Sequence, residues 1–184
     1  YSRFMKSNKS TNLVWVDLEM TGLDLEEDRI TEIACLVTNE ELEIIGEGPE
    51  IIINQPIDLF DKNDPFLVET FVNSGFADKM KASKYDESKA ELEVIEFIKK
   101  HVEEGESPMC GNSVYMDRMF VNRYMKKLDG YLHYRLIDVT TLKNLALRWY
   151  PEVPKYEKKE IHRAMDDIKE SIEELKYYRK HLFR

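Results

Sequence analysis

The sequence predicts a single α/β domain in which a mixed sheet is flanked by helices. Apolar runs with β-branched residues occupy the first third of the chain and indicate strands. Further short runs then alternate with segments of helical period, which is typical of one α/β layer fold. The length of 184 residues corresponds to one domain with a sizeable core. The apolar content of 42% argues against global disorder.

Apolar segments bounded by turn residues predict the strands. Four such segments lie near the start of the chain, at residues 13–18, 30–38, 41–46 and 50–54. The Gly-Glu-Gly-Pro tetrapeptide at 46–49 predicts a turn between the last two. Consecutive strands at the start predict an antiparallel meander. Two later segments, 108–113 and 135–139, predict short strands that alternate with helices.

Two helices are predicted in the middle of the chain, where apolar residues recur at intervals of three or four. The first spans residues 90–104, and Gly105 lies just beyond its end as a stop signal. The second carries an apolar residue at every fourth position, at Met116, Phe120, Tyr124 and Leu128. Residues 61–84 show no clear period and predict short helices and loop.

Two more helices are predicted in the last third. Thr140 or Thr141 is placed to cap the first of them, which runs to Trp149. A charged loop with two prolines is predicted for residues 151–159. The final helix carries its apolar period at Ala164, Ile168, Ile172 and Leu175.

The chain is acidic, with a formal net charge of −9 at pH 7. This charge argues against tight, non-specific binding of long nucleic acid, which depends on many Lys and Arg contacts to phosphates. An acidic protein can still act on phosphodiesters if its carboxylates hold metal ions. Cys35 and Cys110 form no Cys-x-x-Cys pair, so we expect no structural zinc site and a reducing, intracellular setting. No apolar run approaches the roughly 18 residues that a membrane helix needs.

Candidate chemistry begins with a pair of carboxylates at the end of the first predicted strand. Asp17 and Glu19 flank Leu18, so both side chains project from the same face. Two neighbouring carboxylates repel each other, and a divalent cation that bridges them makes the arrangement favourable. Alone, the pair is a weak signal, because a solvated strand end carries the same residues.

Further acidic residues stand at the starts of predicted helices. Asp117 opens the helix after strand 108–113, where the helix dipole alone favours an acid. His162 precedes Asp166 and Asp167 at the start of the last helix. Asp166 would share a face with a helical His162, whereas a pairing with Asp167 requires His162 on the preceding loop or in a frayed first turn. The spacing alone leaves both pairings open.

The combination of these residues is more informative than any one of them. Four acidic positions at the ends of predicted elements, with a histidine beside the last, are typical of two-metal phosphodiester hydrolysis. Two cations about 3.5–4 Å apart need several carboxylates around them. A histidine, with an unperturbed pKa of about 6.5, can take a proton from the attacking water.

The sequence contains the four segments LVWVDLEMTGLD, MCGNSVYMDRMF, LHYRLIDVTTLK and HRAMDDIKES. Together these segments closely resemble the oligoribonucleases, which are DEDD exonucleases of the variant with a catalytic histidine. The resemblance covers about residues 13–183 and implies a ribonuclease H-like fold. We therefore expect residues 1–12 to form a flexible N-terminal extension and residues 13–184 to form the exonuclease domain.

The resemblance also implies the catalytic residues. The metal ligands for two Mg²⁺ or Mn²⁺ ions would be four acids, Asp17, Glu19, Asp117 and Asp167. His162 would be the general base. The family places the acid five residues after the histidine, which selects Asp167 and leaves Asp166 without an assigned role. The product would be a nucleoside 5′-monophosphate released from the 3′ end.

Substrate-binding residues follow from the same resemblance. Leu23 matches the base wedge of the family, and Phe66 stands where a tryptophan usually packs against the 3′ base. Tyr134 matches a tyrosine that reaches into the site of the partner subunit, which implies a homodimer. The cap over the 5′ phosphate corresponds to Ser113, Arg135, Thr140 and Thr141. Read without the resemblance, Leu23 and Phe66 fit a core, Tyr134 a half-buried strand and Arg135 a surface charge.

The sequence departs from the family pattern at four positions. Phe66 replaces the tryptophan, so the packing on the base would be weaker or differently shaped. Ile161 stands where a serine or threonine is usual, and Phe76 replaces a leucine. Thr140 replaces a serine and keeps the hydroxyl. None of these changes removes a metal ligand or the base, so we expect an active enzyme.

We therefore expect a metal-dependent, homodimeric 3′-to-5′ exoribonuclease that degrades short RNA, dinucleotides especially. An exonuclease that proofreads or trims longer DNA or RNA would carry the same acids and histidine. A catalytically silent nucleotide-binding module is the alternative from a different class. We expect neither a membrane nor long nucleic acid as a partner. The expected location is the cytoplasm, or the mitochondrion if the sequence lacks an N-terminal segment.

Overall fold

Five strands form one mixed sheet in the computed structural model, which describes residues 11–56, 75–157 and 163–183. They are β1 (Leu13–Met20), β2 (Ile30–Thr38), β3 (Ile44–Ile52), β4 (Met109–Gly111) and β5 (Leu136–Asp138). Their order across the sheet is β3-β2-β1-β4-β5. The first three pair antiparallel, whereas β4 runs parallel to both β1 and β5. The predicted α/β fold, with a meander followed by alternation, is confirmed.

Six helices lie in the described part of the chain. They are α1 (Phe76–Ala82), α2 (Glu87–Ile98), α3 (Tyr115–Tyr124), α4 (Lys126–Tyr131), α5 (Val139–Trp149) and α6 (Ala164–Leu182). The helix predicted around Phe120 is divided into α3 and α4 at Met125, where φ is −130° and ψ is 63°. Within the described residues, none of the helices combines the length and apolar character that crossing a membrane requires.

The turn predicted at residues 46–49 is wrong, because β3 runs through this segment as one strand. Its glycines lie beneath the end of α2 and the residues after it. A Cβ added to Gly46 would approach Nε2 of His101 to 2.6 Å, and a Cβ on Gly48 would approach the ring of Phe97 to 2.6 Å. These glycines therefore allow a close approach to the edge strand rather than a change of chain direction.

Helix ends also differ from their predicted positions. The helix predicted over 90–104 begins earlier, because Asp86 caps α2 by accepting a hydrogen bond from the backbone N–H of Lys89 at 2.8 Å. The predicted cap of α5 at Thr140 or Thr141 is wrong. The carboxylate of Asp138 caps that helix instead and accepts from the N–H of Thr140 at 2.9 Å. An acid at the end of a strand thus serves as the start signal of the next helix.

Side chains of β1 alternate between two cores, one on each face of the sheet. Val14, Val16 and Leu18 pack with residues of α2, α3 and α4. Trp15 packs with residues of α5 and α6, and its Nε1 donates to Oγ1 of Thr38 at 3.0 Å. By the same alternation, the residues at positions 17 and 19 project toward the face that carries α6.

Candidate active site

Several of the sequence-predicted site residues in the described part of the chain gather at one edge of the sheet. The parallel strands β1, β4 and β5 all end at this edge, where open α/β sheets bind their ligands. Glu19 lies near the end of β1, Ser113 follows β4, and Thr140 follows β5. The pairing of β1 with β2 shifts in register between Glu19 and Met20. Such irregularities are common beside active sites, where they redirect side chains.

Three carboxylates form a candidate metal site at this edge. Asp17, Glu19 and Asp167 each offer an oxygen, and these oxygens lie within 4.8 Å of one another. Asp17 and Glu19 come from β1, and Asp167 comes from the first turn of α6. All three side chains are half-buried. Of the two acids at the start of α6, it is Asp167 that joins this cluster.

The electrostatics of Glu19 fit a cation site. Burial is the main cause that raises the pKa of Glu19 to about 7. Three nearby carboxylates raise it further, those of Asp167, Glu32 and Asp117. Arg163 acts in the opposite direction. A divalent cation would relieve this repulsion, and carboxylate oxygens are the ligands that Mg²⁺ and Mn²⁺ prefer. The residues present therefore fit a divalent metal ion.

Asp117 lies at the border of this cluster. It stands in the first turn of α3, is buried, and accepts a hydrogen bond through Oδ1 from the backbone N–H of Leu18 at 2.9 Å. Burial raises the pKa of Asp117 above its ordinary value, although the backbone hydrogen bond lowers it in part. Its charge acts on Glu19, so Asp117 is electrostatically coupled to the carboxylate cluster.

The predicted base, His162, lies outside the described residues, but the next residue is anchored to the sheet. The guanidinium of Arg163 donates to Oε1 of Glu32 on β2 at 3.1 Å and to Oε1 of Glu50 on β3 at 3.2 Å. Glu32 is fully buried, and sequence reasoning missed its role. The available signal was a charged residue inside the apolar run of β2, where an unpaired charge would be costly.

Two residues of the predicted phosphate cap meet between β4 and β5. The hydroxyls of Ser113 and Thr140 lie 3.2 Å apart. The backbone N–H of Ser113 donates to both Oγ1 of Thr140 and Oδ1 of Asp138, at 2.9 Å each. Ser113 has a φ of 51°, a left-handed conformation that costs a non-glycine residue of order 1 kcal/mol. Backbone strain of this kind is typical of functional sites.

The other predicted substrate residues are exposed where the structure describes them. Leu23 is 65% exposed and Tyr134 is 75% exposed, so neither is a core residue. The ring of Tyr134 stacks on His133 with centroids 4.4 Å apart, and the guanidinium carbon of Arg135 lies 5.6 Å from the Tyr134 ring centroid. Thr141 is exposed in the first turn of α5. Phe66 lies outside the described residues.

Comparison with known proteins gives matches along almost the whole chain. The family model RNase_T, described as exonuclease, matches residues 14–175. An oligoribonuclease of Serratia proteamaculans is 50% identical over 179 residues, which are 97% of this chain and 99% of that protein. A probable oligoribonuclease of Caenorhabditis elegans is 50% identical over 171 residues, which are 93% of this chain and 89% of that protein.

Solved structures share the fold at much lower identity. The zinc-bound form of the exonuclease I complex with single-stranded DNA, from E. coli, has a TM-score of 0.73 and 16% identity over 95% of this chain. Exonuclease I from Methylocaldum szegediense has a TM-score of 0.69 and 17% identity over 93% of this chain. The chain spans 41% of the length of each of these two exonuclease chains. These likenesses confirm the expected fold.

Proposed function

The chain belongs to the RNase_T exonuclease family and, within it, to the oligoribonucleases, which makes it a 3′-to-5′ exoribonuclease; we propose that its substrates are short RNAs, dinucleotides especially, and its products nucleoside 5′-monophosphates. The observation that carries this proposal is the carboxylate cluster of Asp17, Glu19 and Asp167 at the sheet edge. On a chain about half identical to oligoribonucleases, a cluster of this kind would form the site at which the phosphodiester is hydrolysed.

The cofactor that we propose is a pair of Mg²⁺ or Mn²⁺ ions. Their ligands would come from the three clustered carboxylates and from Asp117 at the border. When bound, such ions supply positive charge that activates water and stabilises the leaving 3′ oxygen. The raised pKa of Glu19 supports the proposal, because mutual repulsion among these acids favours a bound cation.

The protein's own part in the proposed reaction is to orient the substrate and to move a proton. His162 would accept a proton from the attacking water, a role that suits a group with a pKa near neutrality. Arg163, the next residue, is held against the sheet by Glu32 and Glu50. Positioning of this kind matters because small displacements of a catalytic group cost large factors in rate.

Substrate length would be set by the cap and by the base-binding residues. We propose that Ser113, Arg135, Thr140 and Thr141 hold the 5′ phosphate. A guanidinium binds phosphate oxygens in a bidentate manner, which suits Arg135 to this role. Leu23 and Phe66 would contact the bases, and the exposure of Leu23 leaves it available for that contact.

We also propose that two subunits form each active unit. Tyr134 is an exposed aromatic residue close to the cap residue Arg135, and its ring is stacked rather than buried. An exposed aromatic ring next to a residue of the proposed cap fits a contact that reaches into the site of a second subunit.

The test is hydrolysis of 5′-phosphorylated RNA, from a dinucleotide to a twenty-mer, with Mg²⁺. We expect the highest kcat/KM on the dinucleotide, release of 5′-monophosphates, and loss of activity in Asp17→Asn. Faster turnover of the twenty-mer would support an exonuclease that trims longer chains. No turnover of any substrate would support a nucleotide-binding module without catalysis.

A further inference from the structure

We propose that Asn112 is a positioning residue that couples the phosphate cap to the helix bearing Asp167, and that this coupling sets the preference for a short, 5′-phosphorylated substrate. The inference rests on the proposed function and deepens it. Asn112 lies directly after β4. Judged from its place in the sequence, it resembles an ordinary turn residue.

The side-chain amide of Asn112 has partners on two helices. Its Nδ2 donates to Oγ of Ser171 at 2.8 Å and to Oε2 of Glu174 at 3.1 Å, both on α6. Its Oδ1 accepts from Oγ1 of Thr140 on α5 at 3.1 Å. Both amide protons and the carbonyl are therefore used, which holds the side chain in one orientation.

Glu174 determines which way this amide points. The Glu174 side chain is fully buried, and a carboxylate can only accept hydrogen bonds. The nitrogen of Asn112 must therefore face α6 and its oxygen must face Thr140. The single hydroxyl proton of Thr140 then goes to Asn112, so the lone pairs of that hydroxyl are left to accept the N–H of Ser113 at 2.9 Å. The cap geometry thus depends on a carboxylate of another helix.

The hydrogen bonds of Asn112 also lead to Asp167 in the candidate metal site. Ser171, which accepts from Asn112, donates its own Oγ proton to the backbone carbonyl of Asp167 at 2.8 Å. At its other oxygen, Glu174 pairs with Nζ of Lys143 on α5 at 3.0 Å. A buried charge with several bonded partners makes a rigid network. Ser113, Thr140 and Asp167 are therefore joined through one asparagine.

This network bears on the length of the substrate. A dinucleotide must place its 5′ phosphate in the cap and its scissile phosphate at the carboxylates at the same time. The separation of those two sites is fixed only if α5 and α6 keep their relative position, and the amide of Asn112 holds that position together with the Lys143–Glu174 ion pair. A substrate without a 5′ phosphate does not use the cap and gains nothing from this alignment.

The test compares Asn112→Ala with the wild type on one dinucleotide, supplied with a 5′ phosphate or a 5′ hydroxyl. We expect the ratio of the two kcat/KM values to fall about tenfold, mainly through a higher KM for the phosphorylated form, as for a lost hydrogen bond of about 1.4 kcal/mol. Asn122→Ala is the matched control, because the amide of Asn122 is exposed and donates to Asp129.

Glu174→Gln provides a second variant of nearly equal volume in case Asn112→Ala does not fold. It removes the anion that orients the amide, so the same ratio should fall, by a smaller factor. If the folded variants keep the wild-type ratio within twofold, the inference is overturned while the proposed function stands. A wild type that does not cleave the dinucleotide, or that ignores its 5′ phosphate, would instead overturn the proposed function.

Discussion

Oδ1 of Asp117 accepts a hydrogen bond at 2.9 Å from the backbone N–H of Leu18. Leu18 is the residue between Asp17 and Glu19, so the bond joins the start of α3 to the part of β1 from which both carboxylates project. Asp117 thus has two separable roles. It supplies charge to the site, and it satisfies a buried backbone donor that would otherwise lack a partner.

The two roles of Asp117 can be separated by substitution. Asp117→Asn keeps an oxygen for the N–H of Leu18, so we expect stability near that of the wild type but a loss of metal-dependent activity of about a hundredfold or more. Asp117→Ala also leaves the N–H of Leu18 without an acceptor and should lower the free energy of unfolding by about 1–3 kcal/mol. Urea denaturation and initial rates measure these effects. An Asn variant with full activity would contradict the proposed ligand role.

The raised pKa of Glu19 predicts a link between pH, metal and stability. Its pKa moves from 4.5 to about 7 on folding of the metal-free protein, mainly because of burial. The stabilisation that protonation provides is present below about pH 4.5 and is lost as the pH rises through about 7. We therefore expect the Tm of the metal-free protein to fall between pH 5 and pH 8.

Mg²⁺ should reverse this trend, because it binds the ionised carboxylates and stabilises the folded state by linkage. Differential scanning calorimetry at both pH values should show a larger rise in Tm with Mg²⁺ at pH 8 than at pH 5. Glu19→Gln serves as the control and should show a weaker pH dependence without metal. An equal rise in Tm at both pH values would refute the link.

The pair of Arg163 and Glu32 predicts a non-additive effect on stability. Arg163→Ala leaves the fully buried Glu32 without this cation, and we expect a loss of about 2–3 kcal/mol. The double variant with Glu32→Gln should lose less than Arg163→Ala alone, because no buried charge is left unpaired. Urea denaturation of the wild type, the two single variants and the double variant measures these free energies of unfolding. Arg148→Ala, at an exposed arginine, is the control, and additive losses would argue against the pair.

Tyr134 provides a test of the proposed homodimer. Its side chain is mostly exposed, so Tyr134→Ala should leave the Tm unchanged while activity falls by roughly tenfold or more, since the ring would act in the site of a second subunit. Activity per subunit in the wild type should also fall on dilution below the dimer dissociation constant. Tyr150→Ala, at another exposed tyrosine, is the control. A fully active wild-type monomer would rule out the shared site.

Local patterns in the sequence predict an element well when its environment is the same along its whole length. Strand β2 is buried at every position, and its boundaries were predicted correctly because its mostly apolar, β-branched segment is bounded by polar residues on both sides. The pattern failed at Gly46 and Gly48, which resemble turn residues. Their small size serves the approach of Phe97 and His101, which lie far away along the chain.

The sequence by itself determined the residue types and spacings at the site: Asp17 and Glu19 on one face of a strand, and Asp167 five residues after His162. Only the tertiary structure decided that Asp167 meets the first two, that Asp138 rather than a threonine caps α5, and that Asn112 joins the cap to α6. Periodicity encodes which face of an element is buried. It does not encode which distant side chain lies opposite, because that depends on how the helices pack across the sheet.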